Sequence, residues 1–364
     1  MRLCELLSVL DDLAPLRYAE PWDNVGLLVG DPAQEIHKLL LTIDYTAQVA
    51  AEAHQEHCDA ILAYHPPIFD PLKRIPSPSL IHDAIRRGLA IYSPHTALDI
   101  ADGGTNDMLA DVLGLVDRQP LRPNTPTSTH YKLVVFVPSD AAEAVASALF
   151  NAGAGHIGNY SACSFRSPGT ATFFGEQGSH PAVGQANQLE RVDELRLETV
   201  LPLDRLTPAI KALQQAHPYE EPAFDLVPLA ARPDGKGQGR IGTLPAPTPR
   251  EELFTRIKHE LGLSHLLIAG STTGHASTAA VGAGACGNML DDALAQKADL
   301  YLTGEVRHHD ALKAAQRGMT VVCTLHSNSE RAVLKRLASR ISYNLPDLPL
   351  HISRHDHDPF SVWA

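Results

Sequence analysis

Two histidines and two carboxylates stand where a predicted parallel sheet would bring them together. His65, Asp99, His326 and Glu330 each lie at or just past the end of a predicted buried strand. Because the carboxyl ends of parallel strands meet at one edge of a sheet, side chains placed there converge. Nitrogen and oxygen ligands suit Zn²⁺, Fe²⁺ or Mn²⁺ rather than copper(I). The pattern predicts a divalent metal site; the alternative is that these residues are caps and surface polar groups.

The spacing of His326 and Glu330 indicates which chemistry such a site would support. Four residues apart, their side chains share one face if a helix begins there. A carboxylate can also bridge two ions and lower the pKa of bound water, which supplies hydroxide at neutral pH. His95 occupies the position that matches His326 in an earlier part of the chain, where it would orient a ligand, relay a proton or serve structure alone.

The elements that must position these residues form two similar halves. The first half reads strand 41–44, helix 46–57, strand 58–64, helix 79–88 and strand 89–95, and the second reads strand 277–285, helix 288–297, strand 298–305, helix 308–318 and strand 319–326. Asp59 to His65 aligns with Asp299 to Glu305, and His95 to Asp99 aligns with His326 to Glu330. We therefore expect an α/β protein built from duplicated α/β/α sandwich halves.

A different pattern separates the two halves. Strands at 131–138, 163–165, 171–174, 194–202 and 223–229 and helices at 141–153 and 203–217 approximate the βαββαβ order of a ferredoxin-like α+β domain. The flanking segments 121–130 and 230–239 are rich in Pro, Gly and polar residues, as linkers are. The predicted domains are 1–126 plus 232–364, which would bind the metal, and an insertion at 127–231. Within the insertion, His217, Glu220 and Glu221 suggest a second metal site or, as the alternative, a structural group.

Composition narrows the functional classes. The 364 residues carry a formal net charge of −12, which disfavours binding to duplex nucleic acid. Only 5% of them are aromatic, which disfavours a surface on which nucleic-acid bases stack. The five cysteines form no CxxC pair, a usage typical of a reducing compartment. The N-terminal segment acquires acidic side chains, from Glu5 onward, too early for a signal peptide, and no apolar run reaches membrane-spanning length. We expect a cytoplasmic protein without membrane contact.

One glycine-rich loop admits two interpretations. Gly282, Gly284 and Gly287 follow a predicted strand and open a helix in the pattern GxGxxG. Free backbone N–H groups there would hold the phosphate of a substrate beside the metal. The alternative is a nicotinamide dinucleotide enzyme, in which Glu305 at the end of the next strand would bind the ribose.

Five separated motifs, in the same order, closely resemble the NIF-three-like family. They are WDNVGLLVG (22–30), YHPPIF (64–69), SPHTALDIADGGTND (93–107), LTGEVRHHDAL (302–312) and HSNSE (326–330). Members of this family are also named dinuclear metal-centre hexameric proteins or GTP cyclohydrolase type 2. The middle segment, with HPYEEPAFD (217–225), resembles the PII/CutA-like insertion of its longer members.

The resemblance implies a homohexameric ring with a pair of divalent metal ions in each subunit. The ligand types suit zinc, iron or manganese, and we expect one or two ions per subunit. It places ligands at His65, Asp99, His326 and Glu330, the last as the bridging group. Tyr64 departs from the family, because many members have histidine there; the second ion would be weak, absent or held by the Tyr64 oxygen.

The function that the resemblance implies is that of a metal-dependent hydrolase. Metal-bound hydroxide would act on a nucleotide-like or phosphorylated substrate, as in a GTP cyclohydrolase type of reaction, with His95 and Glu330 as the catalytic residues. The alternative is a non-catalytic ring that senses a metal or a metabolite.

Overall fold

The computed structural model describes residues 1–124, 129–230, 235–361 and 363. The chain divides into two units, of which one comprises Met1–Asn124 with Gly235–Ala364 and the other Thr125–Asp234. The domain limits predicted from sequence, 126/127 and 231/232, lie outside the described residues. None of the helices in the described ranges is long and apolar enough to cross a membrane.

Helices and strands follow each other as the repeated pattern predicts. The first segment contains α1 (Leu3–Leu13), β1 (Gly26–Val29), β2 (Leu39–Thr42), α2 (Ala47–Gln55), β3 (Ala60–Ala63), α3 (Leu80–Arg86), β4 (Ala90–Ser93), α4 (His95–Ile100), α5 (Thr105–Leu113), β5 (Val116–Gln119) and β6 (Arg122–Pro123). The middle segment contains β7 (His130–Pro138), α6 (Ala142–Asn151), β8 (Ser164–Phe174), β9 (Leu189–Pro202), α7 (Leu206–Ala216) and β10 (Phe224–Pro228). The last segment contains β11 (Gly237–Gln238), β12 (Arg240–Pro249), α8 (Arg250–Leu261), β13 (Leu267–Ala269), β14 (His275–Gly282), α9 (Leu290–Ala295), β15 (Leu300–Thr303), α10 (His308–Gln316), β16 (Thr320–Cys323), α11 (Val333–Asn344) and β17 (Leu350–Ile352).

Two sheets of the first unit share a central part. The first has the strand order β1-β4-β3-β2-β17, and the second has β13-β16-β15-β14-β12-β5. Strands β4, β3 and β2 are parallel, as are β16, β15 and β14, and a short antiparallel strand borders each set, β1 beside β4 and β13 beside β16. The sheets differ on the other side, where β17 is parallel to β2 but β12 is antiparallel to β14. The correspondence of these four strands in each sheet confirms the predicted duplication.

The central strands are short, apolar and fully buried. All four residues of β2, β3, β4, β15 and β16 are buried, because helices cover both faces of a parallel sheet. One buried cluster contains residues of both sheets together with residues of α1, α5, α8 and α11. Burial of this continuous apolar surface stabilises the first unit and holds the carboxyl ends of its strands in place.

The middle unit has the ferredoxin-like strand order. Its antiparallel sheet runs β10-β7-β9-β8, and α6 and α7 pack on one face against buried residues of β7 and β9. The two short strands predicted at 163–165 and 171–174 are instead one strand, β8, which includes Pro168 and Gly169. A proline is tolerated there because β8 pairs only with β9 and so forms the edge of the sheet.

The buried carboxylate of Glu52 in α2 makes hydrogen bonds with β17, the last strand of the first unit, and with the residues that follow it. Glu52 accepts hydrogen bonds from His351 Nε2 at 2.9 Å, from Ser353 Oγ at 2.5 Å and from the backbone N–H of Arg354 at 2.9 Å. Burial alone would raise the pKa of Glu52, but these donors outweigh it and lower the pKa to about 2.

Replacing this carboxylate is expected to destabilise the first unit in a pH-dependent way. Glu52→Gln should lower the free energy of unfolding by about 1–2 kcal/mol at pH 7, because charge-assisted hydrogen bonds are lost. The native pKa lies below the ordinary 4.5, so the carboxylate stabilises the fold above pH 4.5 and ceases to do so as pH falls towards 2. Denaturant titrations of wild type and variant should therefore converge in acid. Glu56→Gln is the comparison variant, since Glu56 lies near the surface, pairs with Lys38 at 2.8 Å and approaches His351 only at 4.0 Å, so it should change stability far less.

Candidate metal centre

The ends of two parallel strands, one from each half, bring the predicted ligands together. Tyr64 and His65 directly follow β3. His326 and Glu330 flank a 3-10 turn at Ser327–Ser329 that follows β16, so the shared face considered for an α-helix is provided by a tighter turn. The imidazole rings of His65 and His326 lie 5.3 Å apart, although their positions are far apart in the sequence. Convergence at the carboxyl edges of the sheets is the arrangement that the strand pattern predicted.

Three side chains converge on one point. The candidate ligand atoms of His65, His326 and Glu330 all lie within 4.8 Å of one another. His65 Nε2 is 3.2 Å from Glu330 Oε2, and His326 Nε2 is 3.4 Å from Glu330 Oε1. Two imidazoles and a carboxylate are a ligand set that Zn²⁺, Fe²⁺ and Mn²⁺ accept.

Each of the two imidazoles in this cluster is oriented by a carboxylate of its own, in addition to facing Glu330. His65 Nδ1 donates to Asp44 at 2.9 Å, and His326 Nδ1 donates to Glu305 at 2.5 Å. With Nδ1 used in this way, each Nε2 is left to face Glu330, an arrangement typical of histidines that bind metals.

Two buried polar atoms of the cluster show that these residues fit a cation. His65 Nε2 and Glu330 Oε2 are both buried, and neither makes a hydrogen bond that satisfies ordinary geometry. The side chain of Glu330 is only 4% exposed, so its charge is removed from water. Burial opposes protonation of His65, but Asp44 and Glu330 outweigh it and raise its pKa to about 10. A positive charge at the centre of the cluster is therefore favoured, either as a proton on His65 or as a metal ion.

The other two predicted ligands bind each other. The Tyr64 hydroxyl donates a hydrogen bond to Asp99, and Thr105 Oγ1 donates to the Tyr64 oxygen at 3.3 Å. Asp99 is buried, and its pKa is raised to about 6 by burial together with the nearby charge of Glu330. Burial and the Asp99 charge also raise the pKa of Tyr64 well above 10, so the phenol keeps its proton. Tyr64 and Asp99 thus lie beside the three-residue cluster, paired with each other.

A histidine and a carboxylate border the cluster on another side. His95 begins α4, and its ring lies 5.4 Å from the ring of His65. His95 Nδ1 donates to Asp23 at 2.8 Å, and the backbone N–H of Thr96 donates to the other oxygen of Asp23 at 3.1 Å. Although burial opposes ionisation, these hydrogen bonds lower the pKa of Asp23. His95 is thus held by an ionised carboxylate in the way that general acid–base histidines are held.

The glycine loop makes room for the carboxylate of Glu330. Gly284 has a φ of +67°, and a Cβ there would lie 2.6 Å from Glu330 Oε1 and 3.2 Å from His326 Nε2. Its N–H donates to Ser329 Oγ at 2.8 Å, and the N–H of Ala283 donates to the Asn106 side chain. These two N–H groups are therefore engaged within the protein, and phosphate binding by Gly282, Gly284 and Gly287 stays a prediction. Glu305, the ribose ligand of the dinucleotide alternative, is hydrogen-bonded to His326.

In the middle unit, the ring of His217, which the sequence suggested as part of a second metal site, makes hydrogen bonds within the protein. His217 Nε2 contacts the carbonyl oxygen of Phe136 at 2.9 Å, and His217 Nδ1 accepts from the Tyr219 N–H at 3.1 Å. With both ring nitrogens engaged, His217 has the geometry of a structural residue.

Some residues of the centre escaped the sequence analysis. Asp44 was missed because it was assigned to a strand, although it follows β2 as His65 follows β3. Asp23 was suggested near the metal pocket by its place in the WDN motif, but its contact with His95 was missed, because no spacing associates the two residues. A carboxylate directly after a buried strand was the one signal that could have identified Asp44.

The sequence and the fold of this chain are similar to those of known proteins. A model of the family described as Duf34/NIF3 (NGG1p interacting factor 3) matches residues 1–359. A Bacillus subtilis protein named GTP cyclohydrolase 1 type 2 homolog is 35% identical over 364 residues, covering 98% of this chain and 97% of that protein. A Halalkalibacterium halodurans protein of the same name is 38% identical over 346 residues, or 94% and 92% of the two chains. The crystal structure of a Bacillus cereus protein related to NIF3 matches with a TM-score of 0.66 at 34% identity, covering 100% of this chain and 99% of that one.

Proposed function

The chain belongs to the Duf34/NIF3 family, as its motifs predicted, and we propose that it is a metal-dependent hydrolase acting on a nucleotide-like or phosphorylated substrate. The observation that carries this proposal is the pair of buried atoms without hydrogen bonds, His65 Nε2 and Glu330 Oε2, which face each other beside His326. The two atoms lie 3.2 Å apart but make no hydrogen bond of ordinary geometry, which is costly for buried polar groups, and a divalent cation would satisfy both.

His65, His326 and Glu330 would hold one divalent ion of zinc, iron or manganese. When bound, such an ion supplies Lewis acidity, which polarises a substrate oxygen and lowers the pKa of water. Asp44 and Glu305 keep the two imidazoles in the tautomer that presents Nε2.

Proton transfer would fall to His95. Its Nδ1 is engaged by Asp23, so Nε2 is the atom that would take a proton from the attacking water or return one to the leaving group. The Asp23 carboxylate lies 2.8 Å from His95 Nδ1. Because Asp23 is ionised at this short distance, it stabilises the imidazolium that forms.

A cavity beside the cluster has the size and polarity for a phosphorylated compound. It measures about 480 Å³ and is lined by His65 and Asp44 and by His355 and His357 of the C-terminal segment. Volumes of this order accommodate small-molecule ligands. Imidazole N–H groups at its border, beside the carboxylates of Asp44 and Asp356, would donate hydrogen bonds to phosphate oxygens, which supports the nucleotide-like class that the names of the relatives suggest.

Tyr64 determines the number of metal ions in this proposal. Wild-type protein purified without chelator should hold about one equivalent per subunit, because Tyr64 is protonated and bound to Asp99. Tyr64→His adds a neutral nitrogen beside Asp99 and should raise the content towards two equivalents, as read by elemental analysis. Tyr64→Phe is the matched control, since it removes the hydroxyl without adding a ligand and should stay at one. Two equivalents in wild type would contradict this prediction and would show that Tyr64, or another residue in its place, completes a second metal site.

We also propose that the protein forms a homohexamer in the cytoplasm. Its five cysteines are free of disulfides, in keeping with a reducing compartment. Sedimentation velocity of the purified protein measures the assembly directly, and a species smaller than six subunits at micromolar concentration would contradict the ring.

Turnover decides between the enzyme and a sensor of metals or metabolites. Metal-loaded protein is incubated with GTP, other nucleotides and simple phosphate esters, and products are followed by chromatography. The proposal expects product from at least one compound, with loss of activity after chelation and recovery on adding the metal back. Saturable binding to one of these compounds without any product would favour the sensing ring.

A further inference from the structure

The sheet of the middle unit has one face without helices, and a cavity of about 310 Å³ lies on it. Phe136 of β7 and Phe173 of β8 line the cavity on the sheet, and Pro181 and Val183 line it from the loop that follows β8. The apolar character of these walls suits the body of a small organic molecule.

One carboxylate lies within this apolar surround. Glu194 on β9 lines the cavity, and only 6% of the residue is exposed. The Tyr219 hydroxyl donates to Glu194 Oε1 at 2.7 Å, and no cationic side chain pairs with this carboxylate among the described residues 129–230. Arg196, two residues along the same strand, is paired instead with Glu198 at 2.8 Å and lies over the ring of Phe136.

The border of the cavity adds negative charge. Glu220 and Glu221 line it, and Glu220 accepts a hydrogen bond from the backbone N–H of His180 at 3.2 Å. Burial and the charge of Glu194 raise the pKa of Tyr219, so its hydroxyl stays protonated and remains a donor. A carboxylate accepts several hydrogen bonds, so Glu194 keeps acceptor capacity beyond the Tyr219 hydroxyl for a donor in the cavity.

We propose that this cavity binds a small organic amine, with its ammonium group on Glu194 and its apolar body against Phe136 and Phe173. The carboxylate supplies a charge-assisted hydrogen bond, and the aromatic rings supply apolar contact and attraction for the cation. A metal ion fits the cavity poorly, because the three-ligand cluster found among the described residues is the one in the other unit. This site does not depend on the hydrolase proposed above.

Calorimetric titration of the full chain with 2-phenylethylamine tests the proposal. We expect saturable binding with a dissociation constant of about 1 mM or less, a range ordinary for so small a ligand. The neutral isostere 2-phenylethanol should bind at least about 10-fold more weakly, because it lacks the charge that pairs with Glu194. Titration with Ca²⁺ and Zn²⁺ after the same protein has been loaded with amine shows whether an inorganic ion competes for the cavity.

Variants separate this cavity from other binding surfaces. Glu194→Gln should weaken amine binding at least about 10-fold, through loss of the charge-assisted bond. Ala171→Phe fills the cavity while keeping Glu194 and should abolish binding, which keeps the proposal testable if the Gln variant folds poorly. Glu143→Gln removes an exposed carboxylate elsewhere in the unit and should bind as wild type. Absence of saturable binding to wild type, equal binding of the alcohol, displacement by the inorganic ions, or an unchanged affinity in both Glu194→Gln and Ala171→Phe would each overturn the proposal.

Discussion

Glu330→Gln protein is expected to purify with far less than one equivalent of metal and to show no turnover. Glu330 is the only carboxylate in the three-residue cluster, and its two oxygens face His65 Nε2 and His326 Nε2 at 3.2 and 3.4 Å. An amide is isosteric but neutral and is a weak ligand for divalent ions. Removing groups that only orient ligands costs about 10–100-fold in affinity, so loss of a direct ligand should exceed that range.

Metal affinity is measured by competition with a chromophoric chelator, and metal content by elemental analysis. Glu305→Gln should give the intermediate loss of about 10–100-fold, because Glu305 orients His326 without joining the cluster. Glu251→Gln, an exposed change in the first turn of α8, should bind metal as wild type does. If the Glu330 variant retained a full equivalent at wild-type affinity, the centre described here would not be the metal site.

Gly284→Ala should damage both the stability of the fold and metal binding. The backbone φ at this position is +67°. A residue other than glycine adopts this left-handed conformation at a cost of about 1–2 kcal/mol. The added Cβ would also lie 2.6 Å from Glu330 Oε1, so the carboxylate must move. That displacement adds a further cost of about 1–3 kcal/mol. A displaced Glu330 no longer faces both histidines, and we expect metal affinity to fall at least about 10-fold.

Gly287→Ala, in the same loop, is the matched control for this substitution. Gly287 does not have the left-handed φ, and the heavy atom nearest to an added Cβ would lie at 3.5 Å, an ordinary contact. Thermal unfolding and metal titration should leave Gly287→Ala close to wild type while Gly284→Ala loses on both measures. Equal behaviour of the two variants would show that the loop does not shape the centre. A loss of substrate binding in Gly287→Ala with unchanged metal affinity would instead support the predicted phosphate role of the loop.

The order of the elements and the duplication could be predicted from the sequence, because a buried strand is itself a short run of apolar residues. Strands covered on both faces are short apolar runs, and helices between them end at glycine or at polar residues. The single long β8 was not readable, since Pro168 and Gly169 interrupt its local pattern. Its pairing along all of β9 overrides that local preference, as tertiary contacts commonly do in sheets.

The cluster residues His65, His326 and Glu330 were identifiable because each is a ligand type in the segment that follows a buried strand and stands in a motif of the family. Their partners were not, since the contacts of Asp44 with His65 and of Asp23 with His95 depend on which strand ends and loops become neighbours. The same limit applies to Tyr64 and Asp99, which the sequence suggests as ligands and which the fold binds to each other.

Sequence by itself determined which side chains reach the carboxyl edges of the strands, because strand ends and residue types are properties of short segments. Tertiary structure alone decided how those side chains divide into a three-ligand cluster, a Tyr64–Asp99 pair and a His95–Asp23 pair. It also decided that Glu194 lies in an apolar cavity with one hydroxyl as its partner. The physical reason is that hydrogen bonds and ligand bonds act over a few ångströms, and only the packing of the sheets determines which distant residues come that close.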